Sequence, residues 1–272
     1  MDGTDPRAPL DPEDIRTRLV AKGLDWPEPA LKAETGSTND DVEELALAGA
    51  PEGTCVVAEE QTHGRGRLDR SWVSPPGAGL WMSVLVRPKD QPVARWSLLS
   101  LAAGMAAVDA LASATSVRAE LKWPNDIVVV ATACGGDGGL RKLGGVLSHG
   151  LDADAVVIGI GINVAMFSHD LPSKKASSVL LEGGTVDRAQ LLVDLLAALR
   201  LRVEQWRSED PLLLADYRRV CATIGRLVEV DMPDGSKVSG LVSGVDDEGH
   251  LVVSDGEIST RVTAGDVIHA TI

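Results

Sequence analysis

Apolar residues along this chain fall into two spacings, helical and alternating, and the switches between them outline a fold before any motif is considered. Pro12–Lys22 carries them at helical spacing and predicts a short leader helix, followed by the connector Trp26-Pro27-Glu28-Pro29. Leu31–Thr35 reads as a strand; Ser37 or Asn39 then suits the N-cap of a helix that runs through Leu47 and ends near Gly49. Thr54–Glu59 and Leu80–Val86 are apolar runs of strand length, the second stopped by Pro88. Val93–Ser113 is apolar almost all round and too long for a strand, which predicts a buried helix. Ile127–Val130 is a further strand, residues 131–140 a glycine-rich connector, and Lys142–Ser148 with Ala155–Val164 a strand pair. Asp187–Ser208 reads as a long amphipathic helix, and Asp210-Pro211 opens another that ends near Val220.

After Cys221 the spacing changes. The β runs Leu227–Met232, Lys237–Val245, His250–Ser254 and Ile258–Thr263 are separated by Pro233-Asp234-Gly235, Asp246-Asp247-Glu248-Gly249 and Asp255-Gly256. Turns at this spacing predict a small antiparallel barrel. The chain thus divides into a leader and connector (1–30), an α/β unit with a sheet flanked by helices (31–221) and an all-β end (222–272).

Composition narrows the function classes. A length of 272 residues with 44% hydrophobic residues supports one large core and a small one. With six Trp, one Tyr and one Phe, that core must be mainly aliphatic. No run approaches the roughly 18 consecutive apolar residues of a membrane span. The acidic start Met1-Asp2-Gly3-Thr4-Asp5-Pro6 is no secretory signal. Cys55, Cys134 and Cys221 are odd in number and far apart, and the five histidines lack metal-ligand spacing. This argues against a disulfide framework or a zinc site and fits a reducing cytoplasm. The net charge of -14 disfavours general nucleic-acid binding, and nine acidic against three basic residues from Ala222 onward extend this to the β end.

Against that acidity, Gln61-Thr62-His63-Gly64-Arg65-Gly66-Arg67-Leu68-Asp69-Arg70-Ser71-Trp72 is cationic, with three arginines and two glycines in the seven residues from Gly64 to Arg70. Arginine forks match phosphate and carboxylate oxygens, and glycines let backbone N–H groups approach them. Three further clusters accompany it. Thr35-Gly36-Ser37-Thr38-Asn39 offers small polar side chains at a helix start, or a plain N-cap. Lys122-Trp123-Pro124-Asn125-Asp126 combines a cation, an amide and a carboxylate around a proline turn, or simply starts a strand. Arg141-Lys142-Leu143-Gly144-Gly145-Val146-Leu147 puts a lysine beside paired glycines, facing a cleft or solvent. Gly159-Ile160-Gly161-Ile162-Asn163 lacks the last glycine of a dinucleotide fingerprint and lies in a strand; neither a P-loop nor a nucleophile elbow is present.

In this order, Gln61–Trp72, Lys122–Asp126, Arg141–Leu147 and Gly159–Asn163, with Ser37-Thr38-Asn39, resemble the biotin–protein ligase family from about Thr35 to the C-terminus. The resemblance implies an α/β (α+β) fold, a central mixed sheet flanked by helices in a class II synthetase-like catalytic domain, ending in an SH3-like barrel. It implies that ATP and biotin are substrates, that Mg²⁺ arrives mainly through the ATP phosphates with no metal ligands of the protein's own, and that biotinyl-5′-AMP is formed with release of pyrophosphate. Biotin then passes to one lysine of a carrier domain of acetyl-CoA or related carboxylases. Carried over by position, Ser37, Thr38, Asn39, Gln61, Gly64, Arg65, Gly66, Gly144, Gly159 and Gly161 would serve biotin. Arg70, Trp72, Lys122, Asn125, Asp126 and Asn163 would serve ATP and the adenylate. Lys142 and Arg67 would serve both and stabilise the charge developing on phosphorus. The relatives of this resemblance also include lipoate or octanoate transferases, and a non-catalytic biotin sensor is a further alternative.

Three features depart from the family's pattern: Asp69 in place of a common glycine, His149 in place of a common acidic residue, and a long 131–140 connector that is expected to bulge into solvent. The glycines of residues 64–79 predict a loop that orders on biotin, so that ATP binds second. The stretch before Thr35 is too short for the family's winged helix-turn-helix, so no operator binding is expected; nor is contact with a membrane. Oligomeric state is not legible beyond a monomer or weak homodimer.

Overall fold

The β-branched and apolar runs assemble into two sheets in the computed structural model, which describes residues 5–68, 70–89, 91–130, 139–151 and 154–269. The larger sheet comprises β1 (Ala30–Thr35), β2 (Cys55–Gln61), β3 (Gly79–Val86), β4 (Glu120–Lys122), β5 (Asp126–Val130), β6 (Leu140–Leu151) and β7 (Ala155–Asn163). Its order is β1-β2-β3-β7-β6-β5-β4. Only β1 and β2 run parallel, because α2 (Thr38–Leu47) crosses between them. Every residue of β3 is buried, as expected of a central strand covered on both faces.

One face is covered by α2, which packs Val42 and Ala46 onto Val56, Leu85 and Val157. The other carries the main core, where Leu80, Met82, Val84, Ile158, Ile160 and Ile162 meet α3 (Leu98–Thr115) and α4 (Arg188–Arg207). The leader helix α1 (Pro12–Lys22) packs on α4, and α5 (Leu212–Val220) on α3 and α4. The helix predicted from Val93 begins instead at Leu98, after a single 3₁₀ turn at Val93–Arg95. By length and composition Val93–Thr115 could cross a membrane, but 72% of its apolar window is buried inside this fold. Its all-round apolarity answers to the sheet on one side and α4 on the other.

The C-terminal strands β8 (Leu227–Asp231), β9 (Lys237–Val245), β10 (Leu251–Ser254), β11 (Ser259–Val262) and β12 (Asp266–His269) form an antiparallel sheet in the order β11-β10-β9-β8-β12. The short strands β4 and β12 escape the sequence pattern; three and four residues are too few to show a period. Val228, Val230, Val242, Leu251, Val253 and Val267 point inward and join the main core rather than closing a separate one. The junction is bonded as well as packed. Trp123 donates its backbone N–H to Thr223 Oγ1 at 3.0 Å and its indole N–H to the Gly249 carbonyl at 2.9 Å.

Candidate functional site

The loop between β2 and β3 is the most cationic stretch of the chain, and its described residues form a narrow hairpin. Isolated bridges join Gln61 to Ser74 and Arg65 to Ser71, and Gly66 N–H donates to the Arg70 carbonyl at 2.7 Å. Asp69 lies outside the described residues. Beneath the hairpin, the strand ends of the large sheet and one edge of the small sheet enclose a cavity of about 290 Å³. Of the residues assigned from sequence to biotin, ATP or the adenylate, Gly64 and Gly144 are absent from its wall, and all the others line it.

The cavity floor is neutral and tightly bonded. Thr38, which starts α2, donates its backbone N–H to Gln61 Oε1 at 2.9 Å, and its hydroxyl lies 2.7 Å from Ser83 Oγ. Ser83 donates to Asn39 Oδ1 at 2.5 Å, Asn39 to the Leu147 carbonyl, and Gln61 Nε2 to Ser74 Oγ at 3.0 Å. Five polar side chains from α2, β2, β3 and the loop are thereby fixed before any ligand is considered. Ser37 stands at the N-cap position but its side chain makes no cap bond. The glycines of β7 serve this floor. A Cβ on Gly159 would fall 2.1 Å from Asn39 Oδ1, and one on Gly161 would fall 2.8 Å from the Trp72 indole nitrogen. These glycines admit protein side chains to the strand; Trp72 packs against Gly161 and stands edge-on to Trp81 at 6.3 Å between centroids. The Trp72 indole N–H is buried and unpartnered among the described residues, a donor turned to the cavity wall.

The opposite wall is charged. Lys142 reaches it through a β-bulge. Along the β5–β6 ladder Ile127 pairs with Gly144 but Val128 pairs with Lys142, leaving Leu143 as the extra residue. The bulge shifts Lys142 to the face of Gly145, whose missing Cβ leaves room for Lys142 Cε at 3.4 Å. It also turns Gly144 away from the cavity, where a Cβ would strike the Gly161 carbonyl at 2.5 Å. Gly144, expected from the sequence to serve biotin, thus does not line the cavity; a bulge leaves no mark in an apolar pattern. Gly64 likewise sits behind the wall, its Cβ position 2.5 Å from the Trp72 carbonyl. The segment after β7 clamps Lys142 from the other side: its N–H donates to the Lys175 carbonyl and its carbonyl accepts from Ser177 N–H.

Lys142, Arg67, Arg65 and Arg70 on this wall each have a protein acceptor. Lys142 Nζ lies 2.5 Å from Asp126 Oδ1 and 5.3 Å from the centre of the Trp72 ring. Arg67 donates to Asn125 Oδ1 at 3.2 Å, Arg65 is paired with Asp40, and Arg70 with Asp266. Asn125 is held in turn by the Val146 carbonyl at 2.8 Å, and Asn163 by the Ser177 carbonyl at 2.9 Å. Burial lowers the pKa of Arg67 and of Lys122, against the pull of Asp126 and Asp266. Asp266 raises that of Arg70 by accepting its hydrogen bond. Sequence reasoning missed Met82, Met166 and Asp266 on the wall. The methionines look like core residues, and Asp266 lies 124 residues beyond Lys142 (266 − 142) in the other sheet, so no local signal links it to the site. His149 lies away from the cavity wall and pairs with Glu43 at 3.1 Å; the connector residues 131–138 lie outside the described residues.

Comparisons with known proteins agree with this geometry. Residues 33–163 match the model of the Biotin/lipoate A/B protein ligase family. The chain is 39% identical over 267 residues to the biotin–[acetyl-CoA-carboxylase] ligase of Mycobacterium tuberculosis, covering 97% of both chains. It is 32% identical over 240 residues to the bifunctional ligase/repressor of Bacillus subtilis, covering 85% of this chain and 70% of that one. Among solved structures it is similar to the biotin protein ligase of Aquifex aeolicus in complex with biotin and ATP, with a TM-score of 0.75 and 25% identity, covering 92% of this chain and 100% of that one.

Proposed function

The chain belongs to the Biotin/lipoate A/B protein ligase family, and from that premise we propose that it is a biotin–[acetyl-CoA-carboxylase] ligase. It joins biotin to ATP and passes the biotinyl group to one lysine of a biotin carboxyl carrier domain. The observation that carries this reading is the division of one cavity between a neutral, pre-bonded floor and a wall bearing Lys142, Arg67, Arg70 and Lys122. A ligand with an uncharged polar head and an anionic tail fits such a cavity, and so does a second anion beside that tail.

The chemistry asked of the residues is electrostatic. A biotin carboxylate oxygen attacks the α-phosphorus, the bond to the β-phosphate oxygen breaks, and pyrophosphate leaves with that electron pair. Lys142 and Arg67 offset the repulsion between the two anions and stabilise the charge that builds on phosphorus. Asp126 holds Lys142 at 2.5 Å, and Asn125 holds Arg67 at 3.2 Å, so neither side chain must be ordered at the moment of reaction. In the second step the acceptor amine attacks the acyl carbon, AMP leaves, and the amine loses a proton. Thr38, Asn39 and Gln61 would orient the ureido head; Trp72, Asn163 and Met166 would wall the nucleotide end.

Mg²⁺ would supply further neutralisation of the phosphates. No group of three or more His, Cys, Asp or Glu suited to a metal is found among the described residues. The donor set fits an ion that arrives on the nucleotide and borrows at most one or two carboxylates, of which Asp126 is the nearer to Lys142. The proposal extends to a cytoplasmic enzyme without operator-DNA binding; the charge of -14 supports the absence of DNA binding.

Exchange of labelled pyrophosphate into ATP tests the reading. Biotin should support exchange and lipoate should not, and the protein should label a carrier domain with biotin. Exchange with lipoate but not biotin would move the chain to the lipoate branch; biotin binding without exchange would make it a sensor.

A further inference from the structure

Asp266 is the one carboxylate that the C-terminal sheet contributes to the cavity wall among the described residues. It opens β12, in register with Asp231 of β8. Its position is rigidly set by the residue before it. A Cβ on Gly265 would fall 2.5 Å from Val230 Cγ1 and 3.1 Å from the Asp231 carbonyl, so the chain can lie this close to β8 only as glycine. From this edge two groups reach the arginine hairpin: the Asp266 carboxylate accepts from Arg70, and the Gly265 carbonyl lies 3.4 Å from Arg67 Nη2. Thr263 and Ala264, just before, wall an adjoining cavity that shares Arg67 and Asn125 with the first. One short segment of the small sheet thus holds both arginines that face the nucleotide end.

Resting on the function proposed above, we propose that Asp266 is a positioning residue of the adenylation site, a carboxylate that competes with the nucleotide's phosphates for Arg70 and sets how tightly they are held. Arg70 is the most exposed of the site's paired cations, its side chain 64% exposed, and exposed ion pairs are weak. A triphosphate brings more charge and more oxygens than one carboxylate, so it takes Arg70 over. The negative charge of Asp266 then remains at the wall, where it opposes the phosphates. Arg67, Arg70 and Lys122 all feel that charge as a force favouring their protonated forms. Nucleotide exchange for Asp266 also breaks a contact between the hairpin and the C-terminal sheet, so occupancy of the site and seating of that sheet are coupled.

The test is Asp266→Asn, which keeps the shape and removes the charge. The KM for ATP in pyrophosphate exchange should fall about three- to tenfold, the effect of one partly screened charge at short range, while the KM for biotin stays within about twofold. Calorimetric binding of inorganic tripolyphosphate should tighten by the same factor. In an Arg70→Gln background the substitution should lower the KM for ATP by a clearly smaller factor, because only the direct opposition of Asp266 to the phosphates is then removed. An unchanged or raised KM for ATP in a variant that melts normally overturns the proposal, as does full retention of the effect without Arg70. Tripolyphosphate separates this inference from the function beneath it. Tighter binding without biotin-dependent exchange would remove the proposed function and leave the role of Asp266; equal binding to both proteins would remove the role of Asp266 whatever the chain catalyses.

Discussion

The floor and the charged wall of the cavity are built on opposite principles. Thr38, Asn39 and Ser83 are each 5% exposed or less, and all are bonded to one another, to Gln61 or to the Leu147 carbonyl. On the wall, the Arg65, Arg70 and Lys142 side chains are 50%, 64% and 36% exposed, and their partners are carboxylates. A buried neutral network is costly to rearrange, so it recognises a ligand by fitting a fixed arrangement of donors and acceptors. Half-exposed ion pairs are worth little in stability, so their cations change partner at small cost. The floor can therefore select a molecule, while the wall can follow charge as it moves during a reaction.

The contrast predicts that damage to the wall costs activity and spares the fold. Lys142→Ala should lower biotin-dependent pyrophosphate exchange by about 10²–10³-fold, the usual scale for losing a preorganised charge stabiliser. Its melting temperature should stay close to that of the parent, since the side chain is 36% exposed and the clamp on its backbone remains. A variant that exchanges as fast as the parent would refute the role given to Lys142; one that unfolds would show that the wall is structural after all.

Damage to the floor should do the reverse, costing stability together with recognition. Gly159→Ala places a methyl 2.1 Å from Asn39 Oδ1, and Asn39 is bonded on both sides, so it cannot step aside cheaply. We expect a loss of about 1–3 kcal/mol in chemical unfolding, with the KM for biotin raised about tenfold and that for ATP little changed. Thr38→Val is milder, because it keeps the volume and deletes one hydroxyl. It removes the one hydroxyl proton within reach of both Ser83 Oγ and Gln61 Oε1, for a cost of about 1–2 kcal/mol and a smaller rise in the KM for biotin. Equal rises in both KM values would dissolve the distinction between floor and wall.

The floor was less legible in the sequence than the wall. Arginines and glycines in an acidic chain stand out by composition, and the apolar runs marked nearly every long element within a few residues. Ser83 did not stand out, because a serine within Leu80–Val86 reads as an interruption of a strand; only its register beside α2 makes it the link between Thr38 and Asn39. The bulge at Leu143 and the arrival of Asp266 from the other sheet are facts of pairing, settled by tertiary contacts. Gly159 and Gly161 were found by motif, yet their physical task is to admit Asn39 and Trp72, which sequence spacing could not supply.

The smallest effect concerns how far the charge of the wall reaches. His269, on β12, is pushed down from 6.5 to about 4 by burial first and then by Lys122 and Arg226, and its Nε2 has no partner among the described residues. The folded protein therefore keeps this imidazole neutral down to about pH 4, whereas the unfolded chain takes up its proton near 6.5. Between those values the unfolded state binds more protons, so stability falls as the pH falls; above 6.5 this residue contributes no slope. Because the ring is only half-buried, solvent screening should hold the loss to about 1 kcal/mol. Urea unfolding at pH 7 and pH 4.5 measures it: His269→Gln should lose less stability than the parent over that interval, while carboxylates common to both proteins cancel in the difference. Lys122→Gln sharpens the test. Removing that cation should raise the pKa of His269 and shrink the acid sensitivity, showing that the wall's charge is felt in the C-terminal sheet. If Lys122→Gln leaves the parent's acid sensitivity intact, burial and Arg226 set this histidine and the electrostatic reach of the wall ends at Asp266.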